Sequence, residues 1–420
     1  MMVRVFKFGG ALLKNAQGLN RMAGIVKKYS REPLVVVVSA IGKTTNTLEN
    51  LLFKSIKGTE PLEKDFLDLK SYHLQVVKQL NKKVDDTLHQ TLDNLFEALW
   101  VALNEHYHNE FFAYDKIVSF GERFASKIAH AVLFSMGIPV KEVTAGEIIK
   151  TDDHFTAATV LWKETEQRVK KIILPALNQN SVILTQGFTG SDLQGNTTTL
   201  GREGSDYTAA VFSGLLDTKE VVIWKDVPGL MNADPKLFKE AIKLNNISYR
   251  EAIELAYYGA KVLHPKTIQP LQNRNIPLQI KSFFNPSLPP SIISSQKPND
   301  DKILKIIAKE NQTLLSIGSK HLDFIAENHL HEIFRAFKSC LVHVNLMQNS
   351  AVSFSVCFNT DSQKLYHLIA QLSERYYLRY NTGLTLLTLR HYTGQDIDKY
   401  TAGKKILLEQ KNRTTAQFLF

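Results

Sequence analysis

The chain has 420 residues, of which 44% are hydrophobic and 22% are charged, and its formal net charge is +10 at pH 7. This length exceeds what one hydrophobic core usually serves and predicts two or three domains, while the composition is that of an ordinary globular protein. The basic residues occur singly or in pairs such as Lys27-Lys28, with no basic tract. The charge therefore indicates a solvated surface first and attraction to small anions second, and we expect no nucleic-acid partner.

Membrane, secretory and disulfide classes are also disfavoured. The longest apolar run, Leu34 to Val38, is too short to cross a bilayer and suits a buried strand. Glycines and Lys7 interrupt the region where the apolar core of a signal peptide would lie, so we expect a cytosolic protein with no membrane partner. Cys340 and Cys357 are too few for a disulfide framework or a zinc site and are expected to be reduced core residues, and no residue is predicted as a protein ligand of a metal.

Strand and helix patterns alternate through the first two thirds of the chain. Short apolar patterns predict strands at residues 3–8, 34–40, 116–120, 182–186 and 220–224. Helical patterns separate them, and a helical insertion is predicted at about residues 44–110. This alternation predicts an α/β fold in which helices cover a parallel or mostly parallel sheet. Ligands of such sheets bind beyond the carboxyl ends of the strands, so the functional residues are expected there.

The composition changes near residue 285. Proline and serine cluster at residues 286–302, which predicts a linker between a domain at 1–285 and a region at 303–420. Patterns in the order strand, helix, strand, strand and helix follow at 313–317, 330–337, 341–347, 353–358 and 363–374, and they predict a small α+β domain. A second strand-bearing unit is predicted to begin near Leu384 and to be incomplete at Phe420.

The first predicted strand ends in a lysine followed by two glycines. Lys7 lies at its carboxyl end, and Gly9 and Gly10 would let a bound group approach the main chain closely. A surface lysine before an ordinary turn explains the same residues. Both interpretations are open at this point.

The sequence GNTTTLGREGSDYTAA from Gly195 to Ala210 follows another predicted strand and leads into a helix near Asp206. Bare glycine amides at a helix N-terminus suit a phosphate or carboxylate, and the threonines and Ser205 add hydroxyl donors. Arg202 can hold a carboxylate with two parallel hydrogen bonds. Asp206 is either a helix cap or, in a phosphate site, the partner of a lysine or of magnesium. A flexible surface loop is the alternative for the whole stretch.

Two further segments place charged residues at strand or helix ends. In WKDVPGLMNADPK, Lys225 and Lys236 could meet nucleotide phosphates, although for this segment taken alone a strand ending in a polar turn is the better explanation. Ser119 and Glu122 have the spacing of a capping box, so Glu122 is either a helix cap or the acceptor of a substrate ammonium.

Six segments together, in this order, carry a resemblance. They are KFGG at 7–10, SAIGKTTN at 39–46, SFGE at 119–122, GFTGSDLQGNTTTLGREGSD at 187–206, KDVPGLMNADPK at 225–236 and ELAYYGAKVLHPKT at 254–267. The chain resembles the aspartate kinase branch of the amino acid kinase family, and its tail resembles the ACT domains that bind amino acids and regulate these enzymes. The resemblance implies a three-layer αβα fold followed by ferredoxin-like ACT-type units.

The resemblance also implies a reaction and its participants. The ATP γ-phosphate would be transferred to the β-carboxylate of L-aspartate to give 4-phospho-L-aspartate, the first step of lysine, methionine and threonine biosynthesis. ATP and Mg²⁺ would be the cofactors. The ACT region would bind lysine or threonine as an effector, and a homodimer or higher homo-oligomer is expected.

Residue roles follow from the resemblance by position. Lys7 would stabilise the phosphoryl group in flight, and Asp206 would orient this lysine. The residues expected to hold aspartate are Ser39, Thr45, Glu122, Arg202, Gly204 and Ser205. The residues expected to contact ATP are Lys7, Gly9, Gly10, Lys225, Asp226, Met231, Lys236, Lys261 and Val262.

Some positions depart from the family pattern. Leu12 removes a hydroxyl that usually follows KFGG, Glu203 stands where glycine is frequent, and Met231 replaces a tyrosine that commonly meets the nucleotide. No fused homoserine dehydrogenase is expected. The alternatives are a kinase of another acidic amino acid, similar to glutamate 5-kinase, and a non-catalytic amino acid-binding regulator with the same fold.

Overall fold

The structure is a computed structural model that describes residues 3–59, 61–80, 86–179, 182–260, 263–296, 300–321 and 323–420. The chain forms two compact units. The first comprises Met1–Leu230, Lys243–Ile253 and Val262–Pro298, and the second comprises Met231–Ile242, Glu254–Lys261 and Asn299–Phe420. The segments 231–242 and 254–261, which the sequence predicts as parts of the first domain, therefore belong to the second unit.

The secondary structure alternates between short strands and helices. The strands are β1 (Arg4–Phe8), β2 (Leu34–Val38), β3 (Val140–Val143), β4 (Val182–Gln186), β5 (Thr189–Ser191), β6 (Thr197–Thr199), β7 (Glu220–Lys225), β8 (Leu230–Met231), β9 (Lys243–Leu244), β10 (Asn246–Ser248), β11 (Leu278–Ser282), β12 (Ser291–Ser294), β13 (Lys305–Ser319), β14 (Val344–Asn349), β15 (Ser353–Asn359), β16 (Tyr376–Arg390), β17 (Leu408–Lys411) and β18 (Thr415–Leu419). The helices are α1 (Ala16–Tyr29), α2 (Thr44–Lys57), α3 (Leu62–Lys78), α4 (Asp86–Leu103), α5 (Glu110–Ser135), α6 (Ala145–Ile148), α7 (Trp162–Arg168), α8 (Leu174–Gln179), α9 (Gly204–Leu216), α10 (Tyr249–Tyr258), α11 (Pro265–Asn273), α12 (Glu327–Ser339), α13 (Ser362–Leu372) and α14 (Gly394–Thr401). A π-helical turn, Val169–Ile173, joins α7 to α8, and a 3₁₀ turn, Asp300–Lys302, precedes β13.

The first unit is built on an eight-stranded sheet. Its strand order is β10-β12-β11-β7-β1-β2-β4-β3. From β11 to β3 all neighbours are parallel, and β12 runs antiparallel to β11. All five residues of β2 are buried, because helices cover both faces of a sheet of this kind and its central strands become continuously apolar. The predicted α/β class with a mostly parallel sheet is confirmed.

Helix α5 replaces one predicted strand. Residues 116–120 lie inside α5, so the strand prediction there is wrong. The helix begins after Asn109, whose side chain accepts hydrogen bonds from two backbone amides, and its residues 117–122 are all buried. A helix buried on most sides is apolar all round, so a five-residue window of it has no helical period. The capping-box interpretation of Ser119 and Glu122 is also wrong, because both lie in the middle of α5.

The predicted helical insertion contains α2, α3 and α4, which pack on α5. Phe96 of α4 stacks on Phe124 of α5 with ring centroids 4.2 Å apart, and Phe66 of α3 packs against the edge of Phe96. Helix α5 therefore packs against the sheet as well as against the insertion. None of the helices in the described parts of the chain is both long and apolar enough to cross a membrane.

The second unit has a six-stranded antiparallel sheet with the order β14-β15-β13-β16-β18-β17. The elements β13, α12, β14, β15, α13 and β16 follow the ferredoxin-like βαββαβ order, and the predicted ferredoxin-like tail is confirmed. Strand β16 continues from Tyr376 to Arg390 without a break, so no new strand begins near Leu384. Cys340 and Cys357 are both free; Cys357 is buried in the core as predicted, whereas Cys340 is only half-buried.

The predicted linker is partly wrong. Strand β12 lies within residues 286–302 and pairs with both β11 and β10 of the first sheet. Its sequence, Ser-Ile-Ile-Ser, buries Ser291 and Ile293. The preceding prolines therefore mark a turn between β11 and β12, and the short apolar pair after them forms an edge strand.

Candidate active site

The carboxyl ends of several parallel strands meet at one edge of the first sheet. Strand β1 lies between β2 and β7, and Phe8 is in register with Val38 on one side and Trp224 on the other. Lys7 is the penultimate residue of β1, and Lys225 is the last residue of β7. Strand β4, next to β2, ends at Gln186, immediately before the loop that leads to α9. The two lysines and this loop therefore share one edge of the sheet.

One carboxylate lies between the two lysines. The Lys7 Nζ atom is 2.5 Å from Asp206 Oδ1, and Lys225 Nζ is 3.4 Å from Asp206 Oδ2. The side chain of Asp206 is 2% exposed, that of Lys7 10% and that of Lys225 24%. Burial acts to raise the pKa of Asp206, but Lys7 and Lys225 outweigh it and hold the pKa below its usual value. Asp206 is thus an ionised anchor for two ammonium groups, which leaves the group with a net positive charge.

The glycines after β1 allow the loops to pack closely. A Cβ atom at Gly10 would overlap the carbonyl oxygen of Ala40, and one at Gly9 would lie 3.5 Å from Lys7 Nζ. The backbone N–H of Ser39 donates to the carbonyl of Phe8. Gly10 is therefore required by the packing of the loop after β1 on the loop after β2, and Ser39 is half-buried at this junction.

Glu122 points from α5 to the loop after β2. A Cβ atom at Gly121 would lie 2.9 Å from the Cβ of Ala40, so the helix and the loop are in contact at this glycine. Glu122 is 3% exposed, and its Oε1 accepts a hydrogen bond of 3.2 Å from the Ala40 amide. Its Oε2 has no hydrogen-bond partner among the described residues. Burial raises the pKa of Glu122 to about 8, against the opposing effects of the Ala40 amide and Lys7. One buried oxygen is available for a cation.

The start of α9 is buried and follows an exposed arginine. Ser205 is 7% exposed, and a Cβ atom at Gly187 would overlap the Ser205 side chain, so the end of β4 packs directly on the first helical turn. Arg202 is exposed and makes no hydrogen bond or ion pair with any described residue. Glu203 has φ +54°, a left-handed conformation that glycine adopts without strain but that is unfavourable for a residue with a side chain. The Gly204 and Asp206 amides donate within this turn, to the Gly201 and Glu203 carbonyls, so the Ser205 amide is the donor of this helix start that can receive an anion.

Asp206 is not a helix cap. Helix α9 begins at Gly204, and its N-cap residue, Glu203, makes no side-chain capping bond. The oxygens of Asp206 instead contact the two lysines. Of the two interpretations of Asp206, the structure favours the partner of a lysine.

Sequence reasoning overlooked Thr44 and His73. Thr45 is half-exposed in the first turn of α2, whereas Thr44 is buried, donates to the Ile41 carbonyl at 2.6 Å and lies 3.3 Å from His73 Nε2. Burial lowers the pKa of His73 to about 4, so the ring is neutral. The first turn of α2, which carries Thr45, is therefore in contact with α3 in the insertion. A buried histidine without a spacing motif gives no signal in a single sequence.

The remaining predicted nucleotide residues are distributed over both units. Asp226 follows Lys225 and is exposed. Met231 and Lys236 belong to the second unit, where Lys236 is exposed and its amide N–H donates to Asp234 Oδ1 at 2.9 Å. Lys261 and Val262 lie outside the described residues. The structure thus brings together Lys7, Lys225 and Asp206.

Comparison with known proteins agrees with this geometry. Residues 2–282 match the profile of the amino acid kinase family. The chain is 31% identical over 386 residues to chloroplastic aspartokinase 1 of Arabidopsis thaliana, a match that covers 88% of this chain and 67% of that protein. It is 30% identical over 409 residues to lysine-sensitive aspartokinase 3 of Escherichia coli, with 94% of this chain and 88% of that protein covered.

Solved structures give the same result. Crystal structures of E. coli aspartokinase III with lysine and aspartate, and with aspartate and ADP, each match with a TM-score of 0.84. The identities are 27% and 26%, and the matches cover 100% of this chain and 96% of each of those chains. The chain belongs to the amino acid kinase family, in its aspartokinase branch.

Proposed function

We propose that this protein is an aspartate kinase, which transfers the γ-phosphoryl group of ATP to the β-carboxylate of L-aspartate and forms 4-phospho-L-aspartate, the first step of lysine, threonine and methionine biosynthesis. The observation that carries the proposal is the contact of Asp206 with both Lys7 and Lys225 at the strand ends, next to a buried Glu122 with one unpartnered oxygen. This is a site for a polyphosphate and an amino acid together. The aspartate and ADP bound to E. coli aspartokinase III support these substrates.

Lys7 would act on the transferred group. A β-carboxylate oxygen of aspartate forms a bond to the γ-phosphorus while the bond from that phosphorus to the oxygen bridging to the β-phosphorus breaks, and ADP takes the electron pair. The attacking carboxylate is already ionised, so positioning and charge neutralisation matter more than a general base. The Lys7 ammonium would balance the charge of the phosphoryl oxygens, and Asp206 would hold this ammonium in place.

The other side of the site would bind aspartate. Glu122 would accept the α-ammonium with its unpartnered oxygen. Arg202, which is exposed, would move onto a substrate carboxylate, and Ser205, which follows Gly204 at the start of α9, would add an amide and a hydroxyl donor. Ser39 and Thr45 would line the loop side. Glutamate has one more methylene, which a site of fixed length disfavours by about 1 to 3 kcal/mol.

Nucleotide contacts are proposed for Lys225 and Asp226 at the end of β7, with Gly9 and Gly10 beside the phosphates. From the resemblance alone, Met231, Lys236, Lys261 and Val262 are also proposed as nucleotide-binding residues. No group of three or more metal-ligating side chains occurs in the described parts of the chain. Mg²⁺ needs only one or two carboxylates when phosphates supply the other ligands, and the buried, unpartnered Oε2 of Glu203 fits that requirement. When bound, the ion would neutralise phosphate charge.

The second unit is proposed as the regulatory part. Lysine bound to E. coli aspartokinase III supports lysine as an effector, with threonine as the alternative. Strands β14 and β17 are the edges of the six-stranded sheet, and unpaired edge strands can pair with those of a second copy. We therefore propose a homodimer or higher homo-oligomer formed through this sheet, and light scattering that finds a monomer at micromolar concentration would contradict it.

The proposed function is tested by trapping the acyl phosphate. The purified chain is incubated with ATP, Mg²⁺ and hydroxylamine, separately with aspartate, glutamate and N-acetylglutamate. We expect a hydroxamate from aspartate alone. A hydroxamate mainly from glutamate or N-acetylglutamate would favour a related kinase, and none from any acid would favour the non-catalytic regulator. The contacts of Asp206 with both Lys7 and Lys225 argue against that regulator.

A further inference from the structure

Helix α5 carries a second buried carboxylate, which is not among the residues proposed to contact aspartate or ATP. Asp115 is 0% exposed and lies seven residues before Glu122, on the same face of the helix two turns away. No lysine, arginine or histidine among the described residues forms an ion pair with it. A buried charge without a counter-ion is unfavourable unless hydrogen-bond donors compensate, so the donors around Asp115 indicate what it does.

The side chain of Asp115 accepts hydrogen bonds from two residues, Thr199 at the end of β6 and Thr156 in a turn. Thr199 donates its hydroxyl to Asp115 Oδ1 at 2.6 Å and its amide to Oδ2 at 2.8 Å. The amide of Thr156 donates to both oxygens at 3.0 Å. The Ala158 amide also donates to the Thr199 carbonyl at 2.9 Å. Asp115 therefore fastens the end of β6 to the turn at residues 156–158.

The turn is held in an unfavourable conformation. Thr156 has φ +71°, and left-handed backbone is rare for a β-branched residue. Its amide gains two carboxylate acceptors in this conformation. Strain of this kind persists where the surroundings impose it, and it concentrates at binding sites.

The turn at residues 156–158 packs against Gly201, which precedes Arg202, one of the residues proposed to bind aspartate. A Cβ atom at Gly201 would lie 3.4 Å from the Thr156 carbonyl oxygen, so the turn and Gly201 are packed together. Gly201 has φ +77°, and its carbonyl accepts from the Gly204 amide at 3.0 Å. Arg202 lies within this turn, and Ser205 follows it in the first turn of α9. The chain of contacts runs from Asp115 through Thr156 to Gly201 and so to Arg202.

We propose that Asp115 is a positioning residue for aspartate binding, which fixes the Arg202 turn at a set distance from Glu122. Because both carboxylates stand on one rigid helix, α5 sets the separation between the group that receives the substrate ammonium and the group that receives a substrate carboxylate. The inference rests on the proposed function. Asp206 has its own anchors in Lys7 and Lys225, so nucleotide binding does not depend on Asp115.

The test is a comparison of KM values for Asp115→Asn and wild type. Asparagine keeps the shape, but its NH₂ group faces an amide donor in place of one carboxylate oxygen. We expect the KM for aspartate to rise roughly 10- to 100-fold, the range for losing hydrogen bonds to a charged group, with the KM for ATP changed less than about twofold. Thr199→Val removes only the hydroxyl bond and is expected to give a smaller rise in the same direction.

A matched control is Asp192→Asn. Asp192 is 2% exposed and accepts bonds from the Asn196 amide at 2.7 Å and from the Asn196 side chain at 2.8 Å, at the opposite end of the β5–β6 hairpin. Its variant is expected to leave both KM values unchanged. If Asp115→Asn lowers thermal stability but neither it nor Thr199→Val changes the KM for aspartate, the positioning role is wrong. Absence of wild-type turnover with aspartate would instead refute the proposed function.

Discussion

Replacing Glu122 with glutamine removes a charge from the proposed aspartate site while it keeps nearly the same shape. Burial is the largest influence on this carboxyl group and raises its pKa from 4.5 to about 8. One pKa unit corresponds to about 1.4 kcal/mol, so ionising Glu122 in the empty site costs roughly 5 kcal/mol more than ionising a glutamate in water. A substrate ammonium at the unpartnered Oε2 would offset this cost, and glutamine cannot supply that interaction.

The expected result is a change in aspartate recognition alone. In wild type, kcat/KM for aspartate should rise as the pH passes through about 8, because the ionised form of Glu122 becomes populated. In Glu122→Gln this rise should be absent, and the KM for aspartate should increase about 10- to 100-fold, as for the loss of a charged hydrogen bond. The assay is hydroxamate formation between pH 6.5 and 9.5, with aspartate and ATP varied separately, and the KM for ATP is the internal control.

The pH dependence of the free energy of unfolding tests the raised pKa of Glu122 independently. The pKa of Glu122 is raised in the folded state, so its stabilising effect is fully present below the unfolded pKa and is lost as the pH rises through about 8. Urea unfolding should show that wild type loses more stability between pH 6 and pH 9 than Glu122→Gln does. Equal KM values for aspartate and equal pH profiles in the two proteins would refute the assignment of Glu122 to the ammonium.

Two further substitutions test the catalytic role of Lys7 and the backbone strain at Glu203. Lys7→Ala should abolish hydroxamate formation with little change in the circular dichroism spectrum, because Lys225 still partners Asp206, and turnover equal to wild type would contradict the role of Lys7. Glu203→Gly should raise the free energy of unfolding by about 1 kcal/mol, since glycine adopts left-handed backbone without strain. Urea unfolding checks this second change, and a less stable variant would show that the Glu203 side chain stabilises the folded site.

The sheet and its functional edge were predictable because they depend on local patterns. Short apolar runs that end in glycine or charged residues predict strands and their carboxyl ends, and β1, β2, β4 and β7 lie within two residues of their predicted bounds. The strand predicted at 116–120 failed because α5 is buried on most sides and loses its helical period. The linker prediction failed at β12, where two isoleucines form an edge strand directly after a proline turn.

Some residues of the candidate site could be predicted from the sequence and others could not. Lys7, Arg202, Ser205, Asp206 and Lys225 lie in Gly-rich or strand-end segments, so their residue types and positions were visible in the sequence. Their roles came from the resemblance of six segments in order, because a single sequence shows no pairing between distant residues.

The supporting residues gave no such signal. Asp115 bonds a residue 84 positions away, and His73 bonds Thr44 from 29 positions away. Neither lies in a spacing motif, since their partners are chosen by the packing of α5 and of the insertion. The membership of 231–242 in the second unit was likewise hidden, because it depends on contacts with residues that follow much later in the chain.

Reduction of the product by borohydride identifies which carboxylate of aspartate receives the phosphoryl group. An acyl phosphate on the β-carboxylate of aspartate is reduced to homoserine, whereas one on the α-carboxylate is reduced to 3-amino-4-hydroxybutanoate. With ATP, Mg²⁺ and aspartate, we expect homoserine from wild type and none from Lys7→Ala. Formation of 3-amino-4-hydroxybutanoate, or of neither compound, would contradict a site in which Glu122 holds the ammonium and Lys7 meets the phosphoryl group at the β-carboxylate.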